Sequence, residues 1–165
     1  PRRAPLLPPL PHAWRCLVAD PNDVTRTVLV HVLRCISHRA SASAGWIVEE
    51  TANNDQALAM ATVAFTNTPS PGAGVKHRAY DLIILKHSVC PHPDHMEGAT
   101  ATAAMRGIGI TALILGQTAE TRAAHAARGR EAGMDEILHL PARDPVELGR
   151  LLQRLLRDRQ QLQDD

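Results

Sequence analysis

Short apolar runs alternate along this chain with longer stretches that read as helices, and the alternation repeats five times. Cys16-Leu17-Val18-Ala19 is an apolar run of strand length, broken by Asp20-Pro21-Asn22-Asp23, where Asn22 or Asp23 can cap a helix. Val24, Val28, Leu29, Val32, Leu33 and Ile36 then recur at helical spacing. Ser37 to Gly45 is a small, polar loop. Trp46 to Thr51 predicts a second strand centred on Ile47 and Val48. Asn53-Asn54-Asp55 supplies a turn and cap for an Ala-rich helix over Gln56 to Phe65. Asp81 to Leu85 is apolar without alternation after its first residue, as a central parallel strand buried on both faces should be. A helix from about Ala99 to Met105, a buried strand over Ala112 to Leu115 and a helix over Thr121 to Ala132, ended by Gly133, follow. Ile137-Leu138 centres the fifth strand. Pro145 opens a last helix carrying Val146, Leu148, Leu151, Leu152, Leu155, Leu156 and Leu162.

Strands and helices in this order predict one α/β domain: a doubly wound, five-stranded parallel sheet with helices on both faces. In such folds the site lies at the carboxyl ends of the strands, near the topological switch. The segment 1–14 is rich in proline, which removes amide donors and favours extended geometry, so it reads as a linker, with the domain over 15–159 and a polar tail over 160–165. A prolyl start without Met reads as a piece of a longer protein. Thr66 to Ala79 and His87 to His95 are aperiodic and read as mobile surface loops.

Composition narrows the function more than the fold. Hydrophobic residues make up 44% of the 165 residues but aromatics only 2%, so the core must come from Leu, Ile, Val, Ala and Met. Lys and Arg number 18 against 17 Asp and Glu, which argues against a general electrostatic grip on nucleic acid. No apolar run approaches the roughly 18–20 residues needed to span a bilayer. Cys16, Cys35 and Cys90 are odd in number and widely spaced, and the first two sit in apolar runs, as buried thiols of a reducing, intracellular compartment would.

Several segments in order carry a family likeness: Cys16-Leu17-Val18-Ala19-Asp20-Pro21-Asn22, Glu50 to Leu58, Tyr80-Asp81-Leu82-Ile83-Ile84-Leu85-Lys86, Met96-Glu97-Gly98 with Ala101-Thr102 and Arg106, and Glu131-Ala132-Gly133-Met134-Asp135-Glu136 with Pro141. From Cys16 to about Leu156 the chain resembles response-regulator receiver domains, in style those carried on hybrid histidine kinases. The resemblance implies the flavodoxin-like strand order 2-1-3-4-5. It also implies that the family's working positions are altered. Of two adjacent metal-holding acids, Asp20 remains and the second is Pro21. The phospho-acceptor position is Lys86, an amine that cannot form an acyl phosphate. The hydroxyl residue ending strand four is matched to Gly116, the switching aromatic to Ile137, and the lysine before the proline to Leu140. The chain thus resembles a pseudo-receiver, a non-phosphorylatable regulatory module without cofactor or enzymatic role of its own. Such a module works through contacts with a protein partner or with other domains of its signalling protein, and with a second copy if its last helix pairs. The alternative is a ligand- or redox-sensing module reusing the same crevice.

Two constellations carry candidate chemistry. Lys86 and Asp20 end neighbouring strands, so the ammonium should replace the metal as counter-ion, with charged atoms within about 4 Å; otherwise Lys86 is a solvated lysine. No second group accompanies Lys86 for amine catalysis. His87, Cys90, His92 and His95 are imidazole and thiol groups at short spacing, but Pro91 and Pro93 interrupt them and they match no finger pattern, which favours a plain loop over a zinc site.

Overall fold

The computed structural model describes residues 9–11, 13–40, 45–68, 79–87 and 95–164. Five strands and five helices alternate: β1 (Arg15–Ala19), α1 (Asp23–Ala40), β2 (Ile47–Thr51), α2 (Asn54–Thr66), β3 (Leu82–Lys86), α3 (Gly98–Ile108), β4 (Leu113–Thr118), α4 (Ala123–Glu131), β5 (Glu136–His139) and α5 (Pro145–Asp164). All strand pairs are parallel, in the order β2-β1-β3-β4-β5. The chain reverses its direction of winding between β1 and β3, which opens a crevice at their carboxyl ends.

The pleat divides the core. Cys16 and Val18, Leu82 and Ile84, and Leu113 and Leu115 face α1 and α5, where Leu29, Leu33, Leu148 and Leu152 meet them. Leu17 and Ala19, Ile83 and Leu85, and Ile114 face the small residues Ala57, Ala61 and Ala101 with Met105. Side chains alternate between faces along a strand, so a central strand covered on both sides must be apolar throughout. The small alanines let α2 and α3 lie close to the sheet.

Caps follow the sequence. The Asn22 side chain accepts the Thr25 N–H at 3.0 Å and Asn53 accepts that of Gln56 at 2.8 Å, closing the first turns of α1 and α2. Gly133 follows α4 at φ 102°, a left-handed position suited to glycine.

Three features differ from the sequence reading. The proline-rich segment is not a linker up to residue 14: Leu10 and Trp14 are buried, Trp14 lies 5.0 Å from Trp46 between ring centroids, and the Trp46 indole donates to the Pro11 carbonyl. Two tryptophans offer more apolar surface than prolines can keep extended in water. The polar tail is helical, because α5 continues to Asp164 and its side chains at 160–163 simply face solvent. Cys35 is only half-buried, with Sγ 3.5 Å from His31 Nε2, whereas burial pushes the Cys16 thiol up from its ordinary range. Among the described residues no helix is long and apolar enough to cross a membrane.

Candidate functional site

The crevice is built where β1, β3 and β4 end together. Parallel register aligns Ala19 with Leu85 and Lys86 with Gln117, so Asp20, Lys86 and Gln117 form one row across the sheet end. Paired residues of parallel strands point to the same face, which brings these three polar side chains together. Lys86 Nζ lies 3.9 Å from Asp20 Oδ2; the lysine side chain is 28% exposed and the aspartate 0%. The expected ion pair is therefore present, but it is not the shortest contact of the carboxylate. Gln117 Nε2 donates to Oδ2 at 2.8 Å, and the Asn22 N–H donates to Oδ1 at 2.7 Å. Arg26 reaches the Asp20 carbonyl at 2.7 Å. Burial nevertheless holds the Asp20 carboxyl above its usual range, against the lowering influence of the Asn22 N–H, Lys86 and Arg26.

Asn54 ties the crevice wall. Its side-chain amide donates to the carbonyls of Lys86 and Met96, both at 2.9 Å, joining the end of β3 to the start of α3. Gly98 makes this approach possible, since a Cβ there would stand 2.5 Å from the Lys86 carbonyl oxygen. Asn54 Oδ1 and Gln117 Oε1 are buried with no hydrogen-bond partner among the described residues.

Gly116, matched by resemblance to the family's hydroxyl position, lies inside β4. β4 does not stop after its apolar run but continues through Gly116, Gln117 and Thr118. Its terminal residue is buried Thr118, whose hydroxyl accepts the Glu120 N–H at 3.0 Å. Gly116 lies a register earlier, opposite Leu85 and Ile137, and leaves room for neighbouring side chains: a Cβ would meet Met134 Sδ at 2.5 Å and His87 Cβ at 3.1 Å. Ile137 is buried against the α2–α3 side of the sheet. Leu140 follows β5, donates its N–H to the Thr118 carbonyl at 2.9 Å and precedes Pro141 through a cis peptide bond. Pro21 is exposed beside Asp20.

Of the candidate histidine and cysteine cluster, His87 and His95 are among the described residues. His87, directly after β3, is not an exposed loop residue: it is 1% exposed, packed under the sheet end with its backbone N–H donating to the Gln117 carbonyl. Its ring stacks on that of His125 from α4, with centroids 3.9 Å apart and planes 12° from parallel. Burial lowers the His87 imidazolium's stability, as do His125 and Arg128, while the bond to the His125 carbonyl and Glu97 oppose the shift. His95 lies at the far end of the loop, and Cys90 and His92 fall outside the described residues. Among the described residues no group of three metal-ligating side chains comes together.

Asp20 and Lys86 were legible as a pair from the sequence, whereas Gln117, Asn54, Thr118 and His125 were not. A polar residue directly after an apolar run is the one signal that would have extended β4 to Gln117 and Thr118.

No protein-family model and no curated protein matches the sequence. Solved structures do. The receiver domain of the sensor histidine kinase PA1611 from Pseudomonas aeruginosa, with a magnesium ion coordinated in its active-site cleft, superposes with TM-score 0.62 at 26% identity, covering 87% of this chain and 97% of that one. The chemotaxis response regulator CheY4 of Vibrio cholerae gives TM-score 0.61 at 26% identity, covering 87% and 98%. The receiver domain of the histidine kinase CKI1 from Arabidopsis thaliana, complexed with Mg2+ and BeF3−, gives 0.63 at 23%, covering 86% and 89%.

Proposed function

We propose that this chain, which has the receiver-domain fold of two-component signalling proteins, is a pseudo-receiver that signals through protein contacts without accepting phosphate. The observation that carries the reading is the Lys86 ammonium at the end of β3, 3.9 Å from the buried Asp20 carboxylate. An amine in that position forms no acyl phosphate. Magnesium does not fit the residues present either. The ion wants several oxygen ligands in near-octahedral array. Here the Asp20 carboxylate already takes donors on both oxygens, Pro21 contributes none, and a cation stands beside it.

The partner in this reading is another domain of the same signalling protein or a separate intracellular protein. Most α5 leucines pack towards α1, leaving half-exposed Val146 and exposed Leu162 for such a contact, a second copy of the chain included. The test is incubation with acetyl phosphate and Mg2+, and with a phosphorylated partner kinase, read by mass spectrometry and fluorescence. We expect no acid-stable, base-labile phosphate and no magnesium-dependent spectral change. Either one would overturn the reading.

A further inference from the structure

We propose that the His87–His125 stack is a proton-operated latch: a proton taken from solvent at His87 Nδ1 releases α4 from the ends of β3 and β4. The inference goes beyond the reading as a pseudo-receiver and does not depend on whether the domain accepts phosphate.

The geometry is a reciprocal clasp. His87 Nε2 donates to the His125 carbonyl at 2.8 Å, and His125 Nε2 lies 3.3 Å from the His87 carbonyl and 3.3 Å from the Thr118 hydroxyl. Each ring thus holds the backbone of the other residue, across a separation of 38 positions in the chain. The bond from Nε2 to a carbonyl places the proton of neutral His87 on that nitrogen, leaving Nδ1 bare. Nδ1 is buried and has no partner among the described residues. A second proton there would create a buried N–H donor and a buried cation at once, and neither is compensated.

Charges around the clasp favour the neutral state. Lys86 precedes His87 on β3, and Arg128 faces it from α4. Glu97, at the start of α3, is the opposing charge, but it is already paired with Arg128. Asp20 is engaged by Gln117 and Lys86, and Glu120, before α4, is engaged by Arg122. From β4 come the uncharged Gln117 and Thr118, and from β5 the uncharged Ile137. The packing has no slack to absorb a tilted ring, since Gly116 and Gly129 lie against His87, Met134 and Ile137 so closely that a Cβ on either would collide. Relief must come from separation of the two strands' ends and α4.

The sign follows. Burial lowers the His87 pKa below the ordinary value of 6.5, so the latch contributes stability that is present above that value and is lost as pH falls through the lowered one. In that window the open form should gain about tenfold in population per pH unit.

The experiment is NMR on isotopically labelled protein from pH 7.5 to 5.0, following the histidine rings and the amide exchange of α4, corrected for the intrinsic pH dependence, with α1 as internal control. We expect His87 to titrate below the ordinary range and α4 protection to fall about tenfold per pH unit through it, with α1 unchanged. His87→Phe, which keeps a flat ring but no proton site, should make α4 protection independent of pH. A His87 that titrates at its ordinary value, or α4 protection that stays flat while His87 becomes protonated, overturns the proposal. Both are read on the wild-type protein, so the test stands even if the variant fails to fold.

Discussion

A carboxylate with no exposed surface needs donors, and Asp20 finds them in the Asn22 N–H, the Gln117 amide and the Lys86 ammonium. These do not wholly offset its burial, because its carboxyl remains harder to ionise than usual. A raised acid contributes stability below its unfolded pKa that is lost as pH rises through the folded value, so at neutral pH the Asp20 charge is a net cost. The two partners are therefore unequal. Lys86→Met strands a buried anion, and we expect it to destabilise by about 1–3 kcal/mol. Asp20→Asn leaves a lysine that is 28% exposed and can turn to water, so it should cost less. In the double variant the penalty of Lys86→Met should largely vanish. Urea denaturation of the four proteins completes the cycle, and strict additivity of the single changes would mean that the 3.9 Å approach carries no energy.

At the scale of elements, a second polar cluster fastens the opposite end of the sheet. Asp135, between α4 and β5, accepts the Ile114 N–H at 2.7 Å, Arg106 of α3 at 3.0 Å and Arg159 of α5 at 2.8 Å. Arg106 also donates to the carbonyls of Gly133, Ile110 and Ala112, and Arg159 to those of Thr111 and Ala112. One carboxylate thus joins both helical layers through β4. Asp135→Ala leaves two guanidiniums and a backbone N–H to find new partners, with an expected loss of about 1–3 kcal/mol at neutral pH by chemical denaturation. Loss within a few tenths of a kcal/mol would show these arginines to be satisfied by the carbonyls alone. The sequence gives the elements readily where unbroken apolar runs mark β1, β3 and the first half of β4. It conceals the rest for physical reasons. The Gly116-Gln117-Thr118 end of β4 pairs as strand although its side chains serve polar contacts, and hydrophobic periodicity does not record those. The His87–His125 clasp joins two residues that each look ordinary alone, one after a strand and one in an alanine-rich helix. Leu10 and Trp14 are hidden among prolines, whose signal is local, while the burial they undergo against Trp46 is tertiary.

Over the whole molecule, the pseudo-receiver reading has the receiver architecture kept without the chemistry usually housed in it. Sheet order and both helical layers are those of a receiver, while in the crevice Asp20 is held by Gln117 and Lys86. On that reading the loss is distributed over several positions, so a single reversal should fail. Lys86→Asp would place a second carboxylate beside buried Asp20, and like charges at close range raise each other's pKa rather than create an ordered metal site. Pro21 would still supply no ligand, and Leu140, which follows β5, would still supply no cation to offset an incoming phosphoryl group. We take the buried Thr118 hydroxyl, which ends β4 one residue beyond the partner of Lys86, as the candidate for the family's hydroxyl position. We therefore expect Lys86→Asp alone to show no magnesium-dependent labelling by acetyl phosphate. We expect Pro21→Asp, Lys86→Asp and Leu140→Lys together to gain it, with no change at position 116, because Gly116 is occupied with packing against Met134 and His87. Labelling is read by mass spectrometry with and without Mg2+, after circular dichroism has shown each variant folded. Fast, complete labelling of the single variant would mean that Lys86 alone blocks the site; a folded triple variant that stays unlabelled until Gly116 becomes threonine would mean that Thr118 does not hold the hydroxyl position.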